Sequence, residues 1–91
     1  MITNYNDMCI ICYEPKDNIH HLVYGRANRA LCDHDELVIP VCRKCHEFMH
    51  KNPHISRIIG QLAYERDRCA EGYSVDAARE SFRIRYGKSY L

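Results

Sequence analysis

The sequence predicts a small zinc-stabilised α+β domain, and three observations predict it. Two Cys-x-x-Cys pairs, Cys9/Cys12 and Cys42/Cys45, bracket the first half of the chain. Two short apolar runs of β type lie between and beside them, and three stretches of helical periodicity follow. At 91 residues the chain makes one domain with a marginal core, a size at which ligand binding to a metal commonly becomes folding energy.

The elements follow in order. Residues 1–8 are polar and read as loose, and Cys9–Cys12 forms a first knuckle closed by the turn Glu14-Pro15-Lys16-Asp17-Asn18. Ile19 to Tyr24 reads as a short strand ended by Gly25, and Arg26 to Leu31 as a loop or a single helical turn. Leu37-Val38-Ile39-Pro40-Val41 is a second apolar strand with its proline near the end, where a missing N–H does least harm. From Arg43 the periodicity is helical, with Cys45, Phe48 and Met49 on one face and His46 and His50 on another. Asn52-Pro53 stops that helix, because a residue before proline is pushed out of the α region. A second helix is expected over 54–70, burying the stripe Ile55, Ile58, Ile59, Leu62 and Cys69. Ser74 is a fitting N-cap for a third helix to about Tyr86, with Gly87 at its end and Val75, Ala78, Phe82 and Tyr86 as its buried face. The expected organisation is a knuckle core over 1–53 and a helical extension over 54–91 packed on it.

Zinc takes four ligands in a tetrahedron, and two residues between cysteines let one tight turn present both sulfurs. The paired spacing therefore marks Cys9, Cys12, Cys42 and Cys45 as a closed structural zinc site. Disulfides are the competing use of six cysteines. The chain shows no secretory leader pattern and no run of about 20 apolar residues that would cross a bilayer, so a reducing compartment and metal binding are expected. Cys69, on the apolar stripe, reads as a small core residue, and Cys32 has no evident part.

The histidines divide in a telling way. His46 and His50 are four residues apart on a helix and so project from one face, able to share a metal. His20 and His21 are neighbours on a strand and point to opposite sides, so only one of them can join that metal. The other is free to take a proton, and a ligand beside a base is what a metal-assisted hydrolase requires. His34 and His54 lack such company and read as surface residues.

Taken together, Cys-x-x-Cys, His-His, an apolar strand and Cys-x-x-Cys-His-x-x-x-His resemble the HNH endonucleases with a ββα-metal, treble-clef-like core. The stretch His20-His21-Leu22-Val23-Tyr24-Gly25-Arg26-Ala27-Asn28-Arg29 and the tail Phe82-Arg83-Ile84-Arg85-Tyr86-Gly87-Lys88-Ser89-Tyr90-Leu91 are similar to small HNH-type proteins of bacteriophages and prophages. The resemblance implies a ββα-metal core with two additional C-terminal helices. It implies that His20, His46 and His50 ligate a catalytic divalent ion such as Mg2+ or Mn2+, and that His21 activates water. The implied reaction is hydrolysis of a DNA phosphodiester leaving a 5′ phosphate. The middle position of the pattern falls in Asp33-His34-Asp35-Glu36 here. Glu36 is its nearest positional match and Asn28 lies earlier in the loop. Either is a candidate to hold the loop or polarise His21, and Asn28 reads equally as a turn residue.

Net charge is only +1, but residues 1–40 carry three Lys/Arg against six Asp/Glu and residues 41–91 carry ten against six. The basic second half is compatible with phosphate contacts, and equally with a solvated helix surface. The competing functional expectation is a non-catalytic zinc module that binds nucleic acid or a protein of a phage recombination or packaging system. The phage origin that the resemblance implies would place the chain in the cytoplasm of a bacterial host, with DNA and a homodimer or a phage DNA-processing protein as candidate partners and no membrane.

Overall fold

Alternating burial explains the first strand. The computed structural model describes all 91 residues, and in it β1 (Asn18–His21) turns His20 inward to 1% exposure while its neighbours stay half-buried or exposed. β1 pairs antiparallel with β2 (Val38–Val41), with His20 opposite Ile39 and His21 opposite Val38. β2 is buried at every position, because its other edge is also occupied. The Ile2 amide donates to the Val38 carbonyl and the Ile10 amide to the Pro40 carbonyl. Residues 1–8, expected loose, are therefore part of the wall. Ile2 packs against both hydrophobic clusters, and the Met8–Pro15 bridge closes the first knuckle into a small hairpin.

Between the strands the chain makes a helix, α1 (Arg29–Asp35), where a loop or one turn was expected. Its inner face is Cys32, fully buried and with its thiol against the Val23 carbonyl at 3.4 Å. Glu36 ends it in the left-handed conformation at φ 60°, and its amide bonds back to the Asp33 and Cys32 carbonyls. α2 (Arg43–Lys51) starts on the second knuckle itself, since the Cys42 sulfur caps the helix by accepting from the Cys45 amide. Asn52 then hands over to α3 (Pro53–Ala70), with Pro53 in the first turn, where its missing N–H costs nothing. Ser74 caps α4 (Val75–Tyr86) by accepting from the Ala77 amide, and Gly87 ends it at φ 91°. A two-stranded sheet and four helices make the α+β domain the sequence predicts.

One part of the expected packing is overturned. The stripe Ile55, Ile59, Leu62 and Cys69 of α3 is exposed, and Ile58 is only half-buried. The buried face is instead Ser56, Gly60, Gln61, Ala63, Tyr64 and Glu65. Closeness is the reason. A Cβ on Gly60 would sit 2.6 Å from Val23 Cγ2 and 3.0 Å from Leu22 Cβ, so α3 lies on the end of β1 with small residues and no room for isoleucines. Phe48 of α2 is likewise half-exposed, and Val75 of α4 is exposed.

The rest of the core is aromatic. Phe82 stacks on Tyr86 at 4.6 Å and meets Tyr64 edge-on at 5.5 Å, joining α3 and α4 to Val23, Cys32 and Leu37. Burying each such ring contributes on the order of 2–3 kcal/mol. Two buried carboxylates fasten the helices. Asp35 takes two hydrogen bonds from Arg85 and one from the Tyr86 hydroxyl, and Glu65 takes Gln61 and Arg79. Gln61 also accepts from the Tyr90 amide at 2.7 Å, which seats the C-terminal tail on α3. No helix is long and apolar enough to cross a membrane.

Candidate metal centre and active site

The two knuckles meet. The sulfurs of Cys9, Cys12, Cys42 and Cys45 all lie within 4.8 Å of one another, with Cys12 and Cys42 at 3.5 Å. That is far beyond a disulfide bond and close to the edge of a tetrahedron with Zn–S bonds of about 2.3 Å. Amides turn toward the sulfurs, Ile11 to Cys9 at 3.4 Å and Cys45 to Cys42 at 3.5 Å, as suits thiolates. Burial raises the Cys9 thiol, but the amides of Cys42, Cys12 and Ile11 outweigh it and hold the group down to about 6. Burial and the three neighbouring sulfurs push Cys45 up, the mutual repulsion that a divalent cation relieves. The donor set fits zinc. Cys32 and Cys69 take no part: Cys69, expected in the core, is exposed, and Cys32, for which no part was evident, is buried there.

The second cluster is carried by the same elements. Cys42 and Cys45 open α2, so His46 and His50 follow from the clamp on one rigid helix, one turn apart. β1 brings His20 to them, with ring centroids 5.2 Å from both, and the three imidazoles offer ligand atoms within 4.8 Å of one another. The Nε2 atoms of His46 and His50 are 3.0 Å apart. Tyr24 leans on His50 at 4.8 Å and on His20 at 5.4 Å, and is backed by the Arg57 guanidinium. Burial, then the proximity of His46, His50 and His21, drives His20 down to about 4, so its ring is neutral at pH 7 with a lone pair to give. Burial and His50 also lower His46. Three imidazoles facing one point fit a divalent transition ion.

His21 stands apart from this trio, as neighbours on a strand must. Its Nε2 is 2.7 Å from Asp33 Oδ1 on α1. The carboxylate can only accept, so Nε2–H donates and Nδ1 is left as the ring's basic atom. Neither sequence candidate for this part holds the ring. Asn28 is the N-cap of α1, its amide bonded to the Gly25 carbonyl, and Glu36 turns away at the other end of that helix. Asp33 was missed because no helix over 29–35 was expected. With 29–35 helical, Asp33 lies one turn from Arg29 and shares its face.

A cleft of about 540 Å3 opens over these groups, lined by the histidines 20, 21, 46 and 50 with Tyr24, Arg26 and Arg29. Both arginines are exposed and neither has a carboxylate partner. The basic second half is spent differently. Arg43, Arg66, Arg68, Arg79, Arg83 and Arg85 are each paired with an acid of the chain. His34 and His54 are on the surface, His34 beside Asp35 and Arg85.

No curated protein and no solved structure matches the chain. One family does. Its match runs over residues 5–57, more than half of the chain, and takes in both knuckles, the four cleft histidines, Asp33 and both cleft arginines. The chain belongs to the family described as "Protein of unknown function (DUF968)".

Proposed function

We propose that this protein is a metal-dependent HNH-type endonuclease that hydrolyses DNA phosphodiester bonds. The observation that carries the proposal is the pairing of a three-histidine ligand set with a fourth histidine beside it that is held by a carboxylate, in one cleft edged by unpaired arginines. On this reading the Cys9–Cys12–Cys42–Cys45 zinc clamp fixes the start of α2 against the knuckle hairpin, and the strand pairing sets β1 against α2. The two ligand-bearing elements thus belong to a ββα-metal core. His20, His46 and His50 would hold a divalent ion, their nitrogen donors suiting Mn2+ better than Mg2+, and the bound ion would supply positive charge for the scissile phosphate and the leaving 3′ oxygen.

The chain's own residues do the remainder. His21 takes the proton of the attacking water on Nδ1, while Asp33 fixes the ring through Nε2 and stabilises the imidazolium that forms. Arg26 and Arg29 bind phosphates on either side of the cut, which orients the strand for in-line attack. Attack forms the bond from water oxygen to phosphorus and breaks the bond to the 3′ oxygen, leaving a 5′ phosphate.

The test is nicking of supercoiled plasmid by zinc-loaded protein, with and without Mg2+ or Mn2+, beside His21→Ala. Metal-dependent nicking should fall by about 100-fold or more in the mutant, the scale of a lost general base. Equal cutting by parent and mutant would refute the assignment. A folded, zinc-bound parent that cuts under no metal would leave a zinc module that only binds.

A further inference from the structure

Ser56, on the inner face of α3, has no exposed surface and touches the histidine cluster from behind. Its Oγ lies 2.7 Å from the Leu22 carbonyl and 2.8 Å from His20 Nε2. A carbonyl oxygen only accepts, so the single hydroxyl proton of Ser56 is committed to Leu22. The oxygen can then meet His20 only as an acceptor, and Nε2 must carry the proton. An imidazole that ligates an ion carries one ring proton only, so with Nε2 protonated Nδ1 is bare. It makes no hydrogen bond within the chain and is not among the sealed polar atoms that lack a partner. It opens on the cleft that His20 lines with His46 and His50.

We infer that Ser56 is a positioning residue that locks His20 as its Nε2–H tautomer and so presents Nδ1 as the ligand atom to the ion. The inference rests on the three-histidine metal reading above. Two features of the fold make it a built arrangement. Gly60, one turn along the same face of α3, lets the helix approach Leu22 and Val23 closely enough for the hydroxyl to reach both partners. The Leu22 carbonyl lies only two residues beyond His20 along the chain, so acceptor and ring move together. An outer partner on the second nitrogen of a ligating imidazole is the usual means of setting both tautomer and ring angle. Here the partner is a hydroxyl whose own direction is dictated by a backbone carbonyl.

The experiment reads the tautomer and the metal separately. Long-range 1H–15N correlation on zinc-loaded protein should show His20 as Nε2–H with an unprotonated Nδ1. Titration with Ni2+ alone should then show one site beyond the cysteine cluster. Its affinity should fall about 10- to 100-fold in Ser56→Ala, the range for loss of such an outer partner. Ser56→Thr, which keeps the hydroxyl, should hold tautomer and affinity near the parent. His20 found as Nδ1–H in the parent overturns the inference even if Ser56→Ala fails to fold. So does a folded Ser56→Ala with parental Ni2+ affinity. A parent with the Nε2–H signal that binds no Ni2+ overturns the metal reading instead, with the tautomer lock intact.

Discussion

Gly60→Ala tests the packing on which the site depends, and two effects compete in it. Replacing a helical glycine by alanine stabilises a helix by about 1 kcal/mol. Against this, the new Cβ would lie 2.6 Å from Val23 Cγ2, 3.0 Å from Leu22 Cβ and 3.5 Å from the Val23 amide nitrogen. Carbon atoms pack best at roughly 3.5–4.0 Å, so the first contact is compressed by about 1 Å. Relief is blocked on both sides. Val23 and Leu22 are fully buried in the two hydrophobic clusters, and the nearest atoms include backbone. Overpacking costs about 1–3 kcal/mol, and a blocked site belongs near the top of that range. The net expectation is a loss of about 2 kcal/mol, or about 8–16 °C in Tm for a domain of this size. Thermal unfolding of zinc-loaded protein by circular dichroism measures it. Ile59→Ala, on the exposed face of the same helix, is the control and should cost about 1 kcal/mol or less. A Tm for Gly60→Ala equal to or above the parent would refute the close approach of α3 to β1, and with it the contact of Ser56 with His20.

Three further outcomes follow from the same geometry. Zinc should bind at one equivalent to the cysteine cluster, and a strong chelator should abolish cooperative unfolding, because the clamp joins the knuckle hairpin to α2; a chelated protein with unchanged Tm would remove the clamp from the fold's support. Burial raises the carboxyl of Asp35, but Arg85, Tyr86 and His34 together outweigh it and hold it below the ordinary value of 3.8. The folded state then binds this proton less readily than the unfolded one, so the stabilisation is whole above about pH 4 and is lost as pH falls through the folded value. Asp35→Asn should cost about 2–3 kcal/mol at neutral pH, below a fully buried pair because Arg85 is 32% exposed, and urea unfolding should lose much of its dependence on acid below about pH 4. Asp33→Ala should slow plasmid nicking by about 5- to 10-fold and cost less than about 1 kcal/mol of stability, since the carboxylate is 62% exposed; a rate equal to the parent would detach Asp33 from His21.

The two cysteine pairs, the helical His46/His50 spacing and the adjacent His20 and His21 determined, without any structure, that one zinc clamp and one three-histidine cluster with a separate fourth histidine were available. These are local patterns, set by the turn of a knuckle, the pitch of a helix and the alternation of a strand, and local geometry is what a sequence states directly. Helix ends were legible for the same reason, with Ser74 and Gly87 bounding α4 by their caps. What tertiary structure alone decided was which face of α3 turns inward and which groups stand behind the histidines. Hydrophobicity pointed to Ile55, Ile59 and Leu62, yet the close approach to Leu22 and Val23 admits only the small residues Ser56, Gly60 and Ala63 at the interface. That choice brought Ser56 to His20, and the packing of Cys32 on Val23 turned α1 so that Asp33 reached His21. Both contacts join residues distant along the chain, 36 apart for Ser56 and 12 for Asp33, and depend on the distance between packed elements. Periodicity fixes the direction of a side chain on its own element; only packing supplies the partner it meets.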